Sequence, residues 1–370
     1  MTSSSRVIFV GNARDYHTLD LCRSLHRYLP EDSWIFFTDS IESEGHIRII
    51  QDRDKVKNLF LIDSFLLGEQ SAKANLWRNF LKLLLSPLQA MVLRVRVGNP
   101  AQKVIHAHTF YYGMLCRMAR LPFLFTPQGG ELTERPKESA IYRFLMKWTL
   151  SGARHTFVDS RRMLDMAHEL GCSEVSIYQY GIDTASCLAV DTGIDRWRVV
   201  SNRGIEHNYR IDLIQAARDK ECANVPLTFF YPLWDVEYRA TFRKKLKSND
   251  HDLGRIDKKK CYQLYAESLF VVSVPESDSS PRSVYEAIFC GSPVVTVSSP
   301  WVADLPLSMR KRVLLVDPRS HGWFRQAFSW AQQCIKEPFV PCQDAISKFD
   351  QFVVAREIVD RFYFTNMTST

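Results

Sequence analysis

The stretch Leu269–Val297, LFVVSVPESDSSPRSVYEAIFCGSPVVTV, reads as strand, loop, helix and strand. Its apolar run Leu269–Val274 predicts a buried strand. A polar loop follows, carrying Glu276 and Asp278. Ser280 stands where a helix N-cap belongs, with Pro281 at the first helical position. The predicted helix Arg282–Phe289 carries Glu286 and stops at Gly291, and Pro293–Val297 opens the next strand. A helix N-terminus after a strand is an anion site, because unpaired N–H groups and the helix dipole both favour negative charge. On this reading Ser279, Ser280, Arg282 and Ser283 line a phosphate. Glu286, about a turn and a half into the helix, can hydrogen-bond a neighbouring group such as a ribose.

The same alternation runs along the chain. Strands are predicted at Val7–Val10, Trp34–Phe37, Leu59–Ile62, Val104–His106, Phe123–Thr126, Thr156–Val158 and Val175–Tyr178. A second series follows at Arg198–Ser201, Leu227–Phe230, Leu269–Val274, Val294–Val297 and Val313–Val316. Helical periodicity separates them, as at Leu19–Leu29, Ala140–Leu150, Arg161–Leu170, Ile211–Lys220, Lys258–Glu267 and Trp323–Lys336. Such alternation makes an α/β protein with parallel sheets. Periodicity lapses between Asp183 and Trp197, which places a domain break there. The expected domains are residues 1–190, 191–350 and a terminal helix within 351–370.

Asp278 and Glu286 are separated by seven residues, and Glu286 opens Glu-Ala-x-x-x-Gly-x-Pro-Val-Val. This resembles the two-acid motif of retaining family 4 glycosyltransferases. The resemblance implies a GT-B fold: two Rossmann-like doubly wound domains facing a cleft, with the C-terminal helix crossing back to the first domain. It implies that Glu286 binds the nucleotide ribose and Asp278 touches the donor sugar. The family's usual first acid is Glu before a glycine-rich turn, whereas Asp278 precedes Ser279-Ser280-Pro281.

Further motifs follow predicted strands, where ligands of doubly wound sheets bind. Gly11 either turns the chain after the first strand or approaches the donor phosphates. His106 and His108 share one side of a strand; His108 is read as facing the cleft and His106 as structural. Thr126-Pro127-Gln128-Gly129-Gly130-Glu131 stands where many members have His-Gly-x-Asp, whose His contacts the donor sugar. Gln128 can hydrogen-bond but cannot shuttle a proton near neutral pH, and Glu131 takes the acidic position. Tyr180-Gly181-Ile182-Asp183 is similar to the Asn-Gly-Val-Asp that ends the family's first domain, with Asp183 capping the next turn. Arg203 matches an Arg that grips the donor diphosphate, and its planar fork suits that task. The family's following Lys is replaced by Asn208; Arg210 is either a second phosphate ligand or a surface residue. Gly254 and Ile256 stand where a loop packs on the nucleotide base. Lys258-Lys259-Lys260 is read as a solvated helix start.

The resemblance therefore implies a retaining, metal-independent hexosyltransferase. A UDP- or GDP-sugar is its donor, and a glycan, lipid-linked or small-molecule hydroxyl its acceptor, as in polysaccharide biosynthesis. No cofactor is expected beyond the nucleotide-sugar co-substrate. A nucleotide-sugar epimerase on the same fold, and a non-catalytic nucleotide-sugar-binding relative, are the competing readings. A Rossmann dehydrogenase is disfavoured because no Gly-x-Gly-x-x-Gly follows any strand.

At 370 residues the chain suits two domains that each bury a core. A net charge of +7 suits phosphates or an anionic membrane surface but is too small to argue for nucleic acid. Nine scattered cysteines and an N-terminus that runs straight into a strand predict a cytoplasmic protein with reduced thiols. Leu76–Val97 is apolar but holds Arg78, Lys82, Arg94 and Arg96 with Pro87 inside it. It is either a core helix with its basic side chains in water or a peripheral contact with the inner face of a membrane.

Overall fold

The computed structural model describes residues 6–13, 15–38, 55–58, 75–191 and 196–364. The chain folds as two units: Met1–Tyr180 with Gln351–Thr370, and Gly181–Asp350. The first holds strands β1 (Val7–Val10), β2 (Trp34–Thr38), β3 (Val56–Asn58), β4 (Val104–His108), β5 (Phe123–Thr126), β6 (Ala153–Val158) and β7 (Val175–Ile177). They form one sheet in the order β3-β2-β1-β4-β5-β6-β7, every pair parallel. The second holds β8 (Arg198–Ser201), β9 (Leu227–Phe230), β10 (His251–Gly254), β11 (Ser268–Ser273), β12 (Val294–Thr296) and β13 (Val313–Leu315). Their order is β10-β9-β8-β11-β12-β13, again parallel throughout.

The central strands are buried along almost their whole length because helices cover both sheet faces. In β1, Ile8 and Val10 enter a core with the helices Asn75–Val97, Phe110–Met118 and Ala140–Leu150. Val7 and Phe9 point the other way, toward Leu19, Leu25, Val354, Ile358 and Tyr363. The C-terminal segment, a helix over Gln351–Ile358 continued as a π-helical turn to Phe364, thus belongs to the first unit's core. In the second unit Val200 and Val271 pack toward the helices Lys258–Ala266 and Arg282–Phe289. Val199, Phe270 and Val272 pack toward Ile211–Glu221 and Trp323–Cys334.

One boundary differs from the sequence reading. The first unit ends at Tyr180 rather than near residue 190. Ile182 is fully buried in the second unit's core and its N–H donates to the Phe349 carbonyl, so the chain has already changed units. Asp183 does cap the next helix, accepting from the Ser186 N–H at 3.0 Å, and Gly181 takes the positive φ of 72°. The expected strand Leu59–Ile62 lies outside the described residues; Val56–Asn58 pairs with β2.

A buried ion pair joins helix to sheet in the second unit. Arg218 donates to both carboxylate oxygens of Asp250 at 2.7 and 2.6 Å, with both side chains fully buried. Asp250 also accepts from the Leu227 and Lys247 N–H groups. Removing one partner leaves an uncompensated charge, so Arg218→Met is expected to lower unfolding free energy by about 3–5 kcal/mol. Urea denaturation measures this, and an unchanged midpoint contradicts it.

Candidate functional site

In each sheet the strand order reverses at one place, between β1 and β4 in the first unit and between β8 and β11 in the second. Ligands of open parallel sheets bind outside the carboxyl ends of the strands at such a point. Most of the sequence-predicted residues gather at these two places, while Gly254 and Ile256 follow the edge strand β10.

In the second unit Arg203 follows β8 and Asp278 follows β11. Their side chains meet at 2.5 Å, and the second guanidinium nitrogen of Arg203 donates to Ser283 Oγ at 2.8 Å. The guanidinium lies over the Tyr209 ring, 4.5 Å from its centroid. Burial alone would lower the Arg203 pKa, but the Asp278 carboxylate and Tyr209 outweigh it and raise it. Arg203 is a permanent cation at the start of the Arg282–Phe289 helix. Glu286, one turn further on, is 3% exposed and ion-paired to Lys258 Nζ. Lys258 is therefore not simply solvated. It stands at the first turn of the Lys258–Ala266 helix, which Asp257 caps.

The helix start differs from the expectation. Pro281, not Ser280, is the N-cap residue. Arg282 N–H turns back to the Ser280 carbonyl, and the Val284 and Tyr285 N–H groups to that of Pro281. Proline supplies no capping oxygen, so the loop folds back through its carbonyls. Ser280 Oγ instead lies 3.4 Å from the Tyr285 hydroxyl. Ser279, Arg282 and Ser283 are half-buried around this turn. Gly291 ends the helix with φ 82°, as the sequence predicts.

Arg210 braces the loop. Its Nε and a terminal nitrogen each donate at 2.7 Å, to the Val274 and Pro275 carbonyls. Asn208 pairs with the Ser277 backbone in both directions, and its carbonyl accepts from Glu276 N–H. Asn208 thus clamps the loop after β8 to the loop after β11. Asn202, which carries no signal in the sequence, donates to the Tyr265 hydroxyl and the Ser283 carbonyl. Gly254 ends β10 with φ 61° and open space where a Cβ would stand. Ile256 is half-buried against the core that contains Tyr262 and Val284.

In the first unit Asp15 caps the Tyr16–His26 helix, and one of its oxygens accepts three bonds. The Thr18 N–H, the Thr18 hydroxyl and Gln128 Nε2 donate at 2.9, 2.6 and 2.6 Å. Thr18 Oγ1 lies 2.6 Å from His108 Nδ1. The hydroxyl proton is already given to Asp15, so His108 must carry its proton on Nδ1. Its Nε2 is then a bare lone pair, buried and without a hydrogen-bond partner among the described residues. Burial lowers the His108 pKa to about 4, against the attraction of Asp15 and with His17 adding to the fall. His108 is a neutral acceptor at neutral pH. Thr109, directly after it, holds a strained φ of 72°.

Gly11 lets Thr18 approach, since a Cβ there would stand 2.6 Å from Thr18 Cγ2. His106 bonds the Tyr363 hydroxyl and Thr126 Oγ1 in the core, the structural place that its sequence context suggests. Glu131 does not present a free carboxylate. Its Oε2 accepts from the Phe110 and Gln128 N–H groups at 2.8 and 3.0 Å, tying together the turns after β4 and β5. Sequence reasoning overlooks Asp15 and Thr18, although Asp-x-x-Thr before a periodic run is a readable capping signal. Among the described residues no cluster of three or more His, Cys, Asp or Glu side chains could hold a metal ion.

Residues 73–178 match the family model of the glycosyl transferase 4-like domain. No curated protein matches the sequence. Among solved structures, HepE from Anabaena in complex with UDP and glucose is 12% identical with a TM-score of 0.72, over 97% of this chain and 99% of that one. Sucrose-phosphate synthase from Thermosynechococcus elongatus is 14% identical with a TM-score of 0.72, over 99% and 100%. The lipopolysaccharide outer core galactosyltransferase WaaB is 11% identical with a TM-score of 0.63, over 97% and 99%. The chain has the GT-B fold.

Burial raises the Glu131 pKa to about 7, against its two N–H donors. The folded state therefore holds this proton more tightly than the unfolded chain. Its contribution to stability is complete below the ordinary carboxylate pKa and is lost as pH rises through about 7. Glu131→Gln removes the titration. The melting temperature of this variant relative to wild type is expected to be higher at pH 8 than at pH 5, and a constant difference contradicts the assignment.

Proposed function

We propose that the chain is a retaining, metal-independent glycosyltransferase that moves a hexosyl group from a UDP- or GDP-sugar to an acceptor hydroxyl. The observation that carries this reading is the convergence of Arg203, Asp278, Ser283 and Glu286 on one strand–loop–helix junction. The donor's diphosphate displaces Asp278 as the partner of Arg203, and the guanidinium meets the charge that grows on the leaving group. Glu286 exchanges Lys258 for the ribose hydroxyls, while the released Asp278 turns to the donor sugar. The diphosphate takes the acceptor proton on the face from which it leaves, so no carboxylate nucleophile is required. UDP is favoured over GDP because HepE is described with UDP and UDP-glucose. The acceptor is a glycan, lipid-linked or small-molecule hydroxyl.

A non-catalytic nucleotide-sugar binder is the second reading. It is favoured by Gln128, which is held by Asp15 and cannot move a proton. Turnover decides between them. Incubation with UDP- and GDP-hexoses and an alcohol acceptor is expected to release nucleoside diphosphate and an α-glycoside from an α-linked donor, with EDTA present. Binding without release supports the second reading, inversion rejects retention, and an epimerised donor points to an epimerase. Arg203→Ala removes a charge-assisted bond and is expected to weaken UDP binding about 10- to 100-fold. Calorimetry checks this, and wild-type affinity in both Arg203→Ala and Glu286→Ala rejects the site.

A further inference from the structure

Trp234 is an aromatic ring held out at the end of a sheet. It lies in the loop after β9 and is 37% exposed, with Leu233 and Val236 also exposed. Its backbone is fixed from two directions. Ile205 and Trp234 form a parallel bridge, in which Ile205 N–H donates to the Leu233 carbonyl and Asp235 N–H to that of Ile205, at 3.1 and 2.9 Å. Ile205 stands two residues after Arg203. Two residues of extended chain and one strand spacing, about 7 and 5 Å, are therefore the most that separates the Arg203 and Trp234 backbones. That is within the span of a nucleoside. The loop after β10 joins from the other direction, since Arg255 Nε donates to the Pro232 carbonyl at 2.9 Å. One exposed indole is thus tied both to the loop that carries Arg203 and to the loop that carries Gly254 and Ile256. Beside Gly254 the space is open.

Two cations lie over this ring. The Arg239 guanidinium is 4.5 Å from the ring centroid and that of Arg255 5.1 Å. They are not held equally. Arg239, on the Val236–Lys244 helix, donates through Nε to the Tyr231 hydroxyl at 2.8 Å, and that hydroxyl donates to Asp252 at 2.6 Å. Tyr231 is itself fully buried, so Arg239 is braced from below. Arg255 is exposed and stands further from the ring. A guanidinium over an exposed ring gains less than a nucleobase stacked on the same ring. An arriving base therefore takes the place of Arg255 and leaves Arg239 where it is.

We propose that Trp234 is the stacking platform for the donor's base, and that Arg255, displaced from the ring, selects a base with a ring carbonyl, uracil or guanine, over cytosine or adenine. This rests on the nucleotide-sugar reading above and adds the class of base and the residues that choose it. A guanidinium has donors and no acceptor. Uracil O4 and guanine O6 accept its bonds, whereas cytosine and adenine carry amino donors at the same ring positions. Stacking accepts every base, so the choice falls to Arg255, which its Nε bond to Pro232 keeps beside the ring.

Calorimetric titration of the full chain with UDP, CDP, GDP, ADP and inorganic pyrophosphate tests it. Wild type is expected to prefer UDP to CDP, and GDP to ADP, by about tenfold. Trp234→Leu should weaken UDP binding by about tenfold or more, with pyrophosphate affinity and melting temperature unchanged, and Trp234→Phe should keep most of the affinity. Arg255→Ala should bring UDP and CDP to similar affinities. Wild-type UDP affinity in Trp234→Leu overturns the proposal while leaving the diphosphate site at Arg203 standing. So does an equal loss of pyrophosphate affinity in that variant, since the ring would then act only by shaping the loop. A preference for UDP over CDP that survives Arg255→Ala overturns it as well. A wild-type chain that binds none of the four nucleotides rejects the proposed function itself, and this proposal with it.

Discussion

The contact between Arg203 and Asp278 holds the candidate site together. β8 and β11 are neighbours in the second sheet, and each ends in a loop that carries one member of the pair. Two opposite charges, both largely withdrawn from water, fix the ends of these loops at the point where the strand order reverses. Asn202, Asn208 and Arg210 donate to the backbone of the same loops, and Ser283 Oγ accepts from the free arm of Arg203. A pair of this kind is a weak source of stability, because desolvation offsets much of the attraction. It is well suited to exchange, since another anion can replace the carboxylate without leaving the guanidinium unpaired. Lys258 and Glu286 repeat the arrangement one turn along the helix. Both residues assigned to the donor are thus held by charges of the same chain.

The first unit uses hydrogen-bond direction instead of ion pairing. Asp15 accepts the Thr18 hydroxyl, Thr18 accepts the Nδ1 proton of His108, and the other ring nitrogen is left bare. Each step follows from the single proton available on a hydroxyl. The cost of an unpartnered buried acceptor and the strained Thr109 beside it are what functional sites commonly retain. Gln128 joins the same Asp15 oxygen, so it helps to position the cap rather than standing free.

How much of this is legible in the sequence depends on burial. β1, β5, β8 and β9 have the ends predicted from sequence, because strands in the middle of a parallel sheet are buried and carry short apolar runs that mark them. β10 gives no such signal. His251-Asp252-Leu253-Gly254 is a half-exposed edge strand with no apolar run to mark it. Val56–Asn58, at an edge of the other sheet, escapes for the same reason. The motif acids and Arg203 stand out because their residue types carry the chemistry. Their present partners do not, since Lys258 meets Glu286 across 28 residues and Gln128 meets Asp15 across 113. Contacts at such separations are fixed by the fold and leave no local pattern. The partners of Glu131 are hidden in the sequence for a related reason: an acid after two glycines suits a ligand as well as two backbone N–H groups, and the N–H it meets after β4 is 21 residues away.

The central claim is that Asp278 holds the seat on Arg203 that a diphosphate takes. The most direct measurement is UDP affinity in Asp278→Asn, with the release of UDP from UDP-glucose followed alongside. Loss of the competing carboxylate leaves Arg203 in place, so UDP should bind as tightly as to wild type or more tightly, while turnover collapses. If Asp278→Asn instead loses UDP affinity, the carboxylate is part of the nucleotide's own binding surface and the exchange at Arg203 does not occur.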